Sequence, residues 1–258
     1  MSKYKVDINS DLGEGFGNYK IPGDSEVIKL VSSSNIACGC HAGDPIVMNE
    51  TVRRASEAGV NIGAHPGYPD MQGFGRRNMG LSPAEVRDYI IYQVGALKTF
   101  CEINGVRLQH VKPHGALYNT AAKDAALAKA IAEAVRDVNS DLILMGLAGS
   151  ELVKAGREAG LKVAEEVFAD RAYEADGSLR NRSFPDAVIT DSDEAVARVV
   201  RMIKEGKIRT VTGEDIPIKA DSICVHGDGA KALEFVKKIR QRLSDEEIEI
   251  SPLADFIK

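Results

Sequence analysis

Short apolar runs alternate with longer amphipathic segments along the whole chain. The runs predict strands over Lys5–Asn9, Ser34–Ala37, Val60–His65, Leu108–Lys112, Leu142–Leu147, Lys162–Phe168 and Ser222–His226. Helices are predicted between them. Asp44-Pro45 opens one that Gly59 ends, and Ser82-Pro83-Ala84-Glu85 is a capping box for another that stops near Asn104-Gly105. Asn119–Val138, Ser150–Ala159, Ser192–Gly206 and Gly229–Leu243 supply the rest, and Ile208–Ala220 reads as a small hairpin inserted before the last strand. Strand and helix in turn predict a parallel α/β architecture.

The alternation within the strands distinguishes an open sheet from a barrel. Successive side chains point to opposite faces, so Val6 and Ile8 oppose Asp7 and Asn9, and Val111 and Pro113 oppose His110, Lys112 and His114. A strand buried between two helix layers is nearly all apolar. Polar residues recurring on one face, toward the C-terminal end of each strand, predict the lining of a (β/α) barrel with its site at that end. The expected fold is a seven-stranded (β/α) barrel, and residues 1–258 read as one domain, since no linker or low-complexity stretch interrupts them.

Composition narrows the function classes. A net charge of −5 with both signs interspersed offers no groove for nucleic acid and no patch for an anionic membrane. No apolar run approaches the roughly 20 residues of a membrane span. The start MSKYKVDINSD lacks an apolar signal segment, and the four cysteines follow no disulfide pattern, so a reducing cytoplasm is expected.

The chemistry gathers at the strand ends: Asn9 and Asp11 after the first, His41 after the second, and His65 at the third. The fourth brings His110, Lys112 and His114, the sixth Arg171, and the seventh His226. All five histidines of the chain lie at such ends. Lys112, between two histidines of one face, is costly to bury unpaired and is expected to bind an anion or polarise a carbonyl. Arg76-Arg77 follows a glycine-rich turn and is either a carboxylate or phosphate clamp or a solvated pair. Glu165 and Glu166 point to opposite faces, so at most one reaches the interior. Asp44 is expected to serve as a helix cap. Cys38 and Cys40 are too close in sequence for a zinc knuckle and poorly placed for a disulfide, so both are expected to be free thiols. GEGFGNY (Gly13–Tyr19) follows a strand but lacks the lysine and hydroxyl that end a P-loop, so no standard ATP site is visible.

DINSDLGEGFG, NIACGCHAGDP, IGAHPGYPD, GFGRR, YQVGALK, HVKPHGALYN, EVFADRAY and ICVHGD occur in this order from Val6 onward. With these motifs the chain resembles the LamB/YcsF family, the A subunits of prokaryotic ATP-dependent 5-oxoprolinase. Cys40 stands where the family usually has an aromatic residue. The resemblance implies a barrel related to the glycoside hydrolase/deacetylase group. It implies ATP-coupled opening of 5-oxo-L-proline to L-glutamate, together with two further subunits (B and C type) that hold most of the ATP site. The catalytic candidates are then Asp11, His41, His65, His110, Lys112 and His114. Asn9, Arg76, Arg77, Arg171 and His226 are the substrate-binding ones. Two other readings stand beside this one: a divalent-metal hydrolase of carbohydrate amides or esters with Asp11, His41 and His65 as ligands, and a substrate-delivery subunit without chemistry.

Overall fold

A computed structural model of the protein describes residues 3–225 and 230–258. In chain order the first half contains β1 (Tyr4–Leu12), α1 (Asp24–Val27), β2 (Ser33–Ala37), α2 (Pro45–Glu57), β3 (Asn61–His65), α3 (Pro83–Ile103), β4 (Leu108–Val111), α4 (Gly115–Ala121) and α5 (Ala125–Val138). The second half contains β5 (Ile143–Leu147), α6 (Glu151–Glu158), β6 (Lys162–Phe168), α7 (Ser192–Glu205), β7 (Lys207–Arg209), β8 (Asp215–Pro217), β9 (Ser222–Cys224), α8 (Ala230–Asp245) and β10 (Ile248–Ile250).

β1 to β6 and β9 pair in parallel, and β9 returns to β1, which closes a seven-stranded barrel. The register sets Asp11, Asn35, Gly63 and His110 side by side on β1 to β4. On the outer face Ile8, Ile36, Ile62, Val111, Leu144, Val167 and Ile223 are buried in the main apolar core with side chains of the surrounding helices. Each such side chain contributes roughly 1.5–3 kcal/mol by leaving water. The inner face is polar: Asp7, Asn9, Asn35, His110, Lys112, Glu166 and Ser222 are buried and hydrogen-bonded to one another. Glu165, on the outer face, accepts from Arg157, so of the two adjacent glutamates only Glu166 turns inward.

Local signals explain the helix limits. Asp44 accepts from the backbone N–H of Ile46 and Val47 ahead of Pro45, and Gly59 leaves α2 in the left-handed region. Ser82 and Glu85 form the reciprocal capping box of α3. The single helix expected over Asn119–Val138 is two. Asp124 accepts from Ala126 N and Leu127 N and so starts α5 as a new helix after α4. The expected hairpin is present as the antiparallel pair β7–β8.

β10 was not expected. Its three residues follow an acidic helical run, and its partner, the Tyr4–Val6 part of β1, lies at the other end of the chain. After β10, Leu253 and Ile257 pack on Ile143, Met145 and Ala164 in an apolar cluster separate from the main core. Among the described residues no helix is long and apolar enough to cross a membrane.

Candidate active site

Lys112 is the hub of the interior. Its ammonium lies 2.9 Å from Asp11 Oδ1 and 2.8 Å from Glu166 Oε1, and it donates to Asn9 Oδ1 at 3.0 Å. Burial would lower the pKa of this ammonium, but Asp11, Cys224 and Glu166 around it hold it well above the usual range. Burial likewise pushes the Asp11 carboxyl up, and His65 and Lys112 overcome that and hold it well below. Asn35 donates to both Asn9 Oδ1 (2.7 Å) and Asp11 Oδ1 (2.8 Å), and Tyr118 donates to Glu166 Oε2 at 2.6 Å. Lys112, expected to bind an anion or polarise a carbonyl, is engaged by two carboxylates of the protein itself. Burying the cation unpaired would be prohibitive, which is why both acids are there.

Above this hub three imidazoles meet. His114 and His41 stack with ring centroids 3.7 Å apart, and His65 meets both rings edge-on. His114 Nδ1 lies 2.9 Å from His65 Nε2, and Glu14 Oε1 lies 3.3 Å from His41 Nε2. Burial holds the pKa of His41 well below the usual imidazole range and lowers that of His114 to about 3, so both rings are neutral at pH 7. The sequence around Gly73–Arg77 shapes this cluster. Phe74 has a left-handed backbone (φ 54°), and its carbonyl accepts from His114 Nε2 at 2.8 Å. Gly75 is also left-handed, and a Cβ there would lie 2.7 Å from His41 Cβ, so only glycine lets the loop approach the rings this closely.

Asp11 and Lys112 of the hub and His65 and His114 of the imidazole cluster line a cavity of about 560 Å³. Of the residues expected at the site, Asp11, His65, Lys112, His114, Arg76 and Arg171 line it. Arg76 is exposed, with its guanidinium 5.0 Å from the centre of the Phe74 ring. Arg171 is buried and donates to the backbone carbonyls of Ala187 and Arg180, so it braces the rim.

The others lie elsewhere. His41 is not among the lining residues and stacks behind His114. Asn9 and His110 lie deeper in the barrel: His110 Nε2 donates to Asn35 Oδ1 at 2.8 Å, and burial lowers its pKa to about 3. The His110 ring lies against Gly63, where a Cβ would come within 2.0 Å of it. Arg77 is not in the lining either; its Nε donates to both oxygens of Asp70 at 3.0 and 3.1 Å, which closes the Asp70–Arg77 loop. His226 lies outside the described residues. Glu14, Asn35, Tyr118 and Glu166 were missing from the expected site. Period-two alternation on β2 and β6 could have found Asn35 and Glu166. No spacing signal marks Glu14 or Tyr118.

The glycine loop after β1 has its backbone already committed. Gly13 N donates to Asp24 Oδ2 and Gly17 N to Asp44 Oδ2, so these amides are not free to cradle a phosphate. Cys38 and Cys40 are free thiols, and burial raises the pKa of both.

The profile of the LamB/YcsF family matches residues 6–258. A relative from Clostridium beijerinckii, named as the A subunit of 5-oxoprolinase, is 61% identical over 250 residues, covering 97% of this chain and 98% of its own. The crystal structure of the lactam utilization protein from Thermus thermophilus superimposes with a TM-score of 0.90 at 45% identity, covering 95% of this chain and 98% of that one. A T48 deacetylase has a TM-score of 0.50 at 14% identity, covering 98% and 89%, a likeness of fold alone.

Proposed function

Because the chain belongs to the LamB/YcsF family over residues 6–258, we propose that it is the A subunit of a 5-oxoprolinase and supplies the site where the lactam ring opens. The observation that carries this reading is near end-to-end similarity to a protein named as the A subunit of 5-oxoprolinase, in a chain whose cavity gathers Asp11, His65, Lys112 and His114. The substrate is then 5-oxo-L-proline and the product L-glutamate. A five-membered lactam is an unactivated amide, so its opening is coupled to ATP. Phosphoryl transfer to the lactam oxygen makes the ring carbon electrophilic. Water adds to that carbon as a base takes its proton, and the C–N bond breaks with its electron pair leaving on nitrogen, which is protonated. A second water hydrolyses the resulting acyl phosphate to the carboxylate and phosphate.

The residues suit parts of this sequence. Asp11, ionised beside His65 and Lys112 and lining the cavity, can take a proton from water, while His114 is fixed in one tautomer by the Phe74 carbonyl. The Lys112 ammonium, fixed between Asp11 and Glu166, holds the Asp11 carboxylate ionised and in place at the cavity wall. Arg76, exposed on the cavity wall, takes the substrate carboxylate in place of Arg77, which is bound to Asp70. The hydrogen-bonded amides of Gly13 and Gly17 favour an ATP site away from this loop, which fits the two partner subunits of B and C type that the family resemblance implies. The test is glutamate and phosphate release by the reconstituted complex with each subunit omitted in turn. Both activities are expected only in the full set. Coupled turnover by this chain alone would overturn the division of labour.

A further inference from the structure

We propose that Glu14, His41, His65 and His114 bind one divalent first-row transition-metal ion at the cavity wall. Their ligand atoms all lie within 4.8 Å of one another. The argument rests on which atoms carry hydrogen. His65 Nδ1 lies 2.7 Å from the carbonyl of Lys112, and His114 Nε2 lies 2.8 Å from that of Phe74. A carbonyl only accepts, so these two outer nitrogens are N–H groups. The inner nitrogen of each ring is then the one that can present a lone pair to a metal.

The inner nitrogens, His65 Nε2 and His114 Nδ1, face each other at 2.9 Å. Asp11 Oδ2 stands 3.2 Å from His65 Nε2, and Glu14 Oε1 stands 3.5 Å from His114 Nδ1 and 3.3 Å from His41 Nε2. Ring nitrogens and carboxylate oxygens thus converge on one point, where a single cation satisfies all four groups at once.

Three further observations agree. Metal-binding histidines donate their second N–H to a backbone carbonyl or carboxylate, which is the arrangement of His65 and His114. Ligand atoms about 2.1 Å from a metal lie roughly 3.0–3.4 Å apart in octahedral or tetrahedral geometry, and the contacts of 2.9 to 3.5 Å match such edges. His41 Nδ1 is buried without a hydrogen-bond partner, so the pairing of this ring is unfinished in the protein by itself. Three imidazoles and one carboxylate suit Zn²⁺, Fe²⁺ or Mn²⁺ better than Ca²⁺ or Mg²⁺. Because Glu14, His65 and His114 line the cavity, a remaining coordination position faces the space where a small molecule would bind.

The site is tested on the purified chain alone, without partners, ATP or substrate, so its outcome is independent of the proposed activity. After dialysis against a chelator, Zn²⁺, Mn²⁺ or Co²⁺ is returned, and bound metal is measured by elemental analysis and calorimetry. The visible absorption of the Co²⁺ form reports the ligand set. About one ion per chain is expected, with a melting temperature raised by roughly 5–10 °C at a metal concentration 100 times Kd. His114→Ala is expected to weaken binding by at least about 100-fold. Glu14→Gln, nearly isosteric, is expected to weaken it about 10-fold or more if His114→Ala does not fold. Cys40→Ser is expected to bind as the parent does. A folded parent that takes up none of the three ions overturns the proposal. So does parental affinity in Glu14→Gln and His114→Ala, or a sulfur-to-cobalt charge-transfer band, which would assign the ion to cysteine.

Discussion

Replacing Lys112 by methionine keeps an unbranched side chain, one atom shorter, and removes the ammonium with its charge and its hydrogen bonds. The ammonium lies 2.8 Å from one carboxylate and 2.9 Å from another, deep in the barrel. At an effective dielectric of about 20, each contact amounts to roughly 6 kcal/mol before desolvation is counted. Most of that is offset by the cost of burying the three charges. What the substitution exposes is that cost without its compensation, roughly 3–5 kcal/mol when one partner of a buried ion pair is removed. At roughly 2–4 °C per kcal/mol for a chain near this length, the melting temperature of Lys112→Met is expected to fall by about 6–20 °C. The double variant Lys112→Met/Glu166→Gln removes one of the stranded carboxylates and is expected to regain about 1–3 kcal/mol over the single one. Thermal and urea denaturation of the isolated chain measure both. A Lys112→Met protein melting within about 2 °C of the parent would refute the reasoning, since the acids would then not depend on the ammonium.

Asp7 is fully buried, and its pKa is raised from 3.8 to about 6, mainly by burial, against the hydrogen bonds from Ser222, Ser32 and Ser33. A carboxyl with a raised pKa contributes its full stability below its unfolded value and loses it as pH rises through the folded one. At 1.36 kcal/mol per pH unit, the parent is expected to lose about 3 kcal/mol relative to Asp7→Asn between pH 3.8 and about 6, read from urea midpoints; parallel pH profiles would contradict this. Gly75→Ala places a methyl group 2.7 Å from His41 Cβ and 2.8 Å from His114 Cδ2 on a left-handed backbone. Turnover of the assembled enzyme is expected to fall about 100-fold by misplacing the rings, whereas Gly80→Ala, with open space around its Cβ, is expected to be neutral. Arg76→Ala is expected to raise KM for 5-oxoproline roughly 10–100-fold with a smaller change in kcat, the scale of a lost charged hydrogen bond; an unchanged KM would remove Arg76 from carboxylate binding.

The barrel was legible because its two faces differ chemically on every second residue. Val6 and Ile8 against Asp7 and Asn9 already state which face meets the helices. The same alternation pointed to Asp11, His65, Lys112 and His114, which the structure brings to one cavity. It could not say which charges cancel. The partner that makes burying Lys112 tolerable, Glu166, stands on a strand 54 positions later, and no spacing joins the two. Arg76 and Arg77 are indistinguishable by type and place, and only the turn at Asp70 separates a cavity-facing guanidinium from one that closes a loop. Glu14 was hidden for another reason. It belongs to a glycine-rich stretch without periodicity, and its nearness to His41 follows from a loop path that local propensity does not encode.

The way the barrel is closed at its lower end also sets when the site can exist. β9 and β10, which both pair with β1, follow every other barrel strand in the chain, and Leu253 and Ile257 come later still. As the chain leaves the ribosome, Asp7, Asn9 and Asp11 emerge early, on a strand that can pair only with β2 until these late segments appear. Their polar side chains remain hydrated through most of synthesis, because nothing yet seals the interior from below. Closure therefore joins the two ends of the chain in one late, long-range step, the kind of contact that forms slowly because its loop-closure entropy is met before any contact rewards it. The first residues made are among the last to become a site, and a nascent chain halted before β9 carries the acids of the cavity without the pairing that buries them.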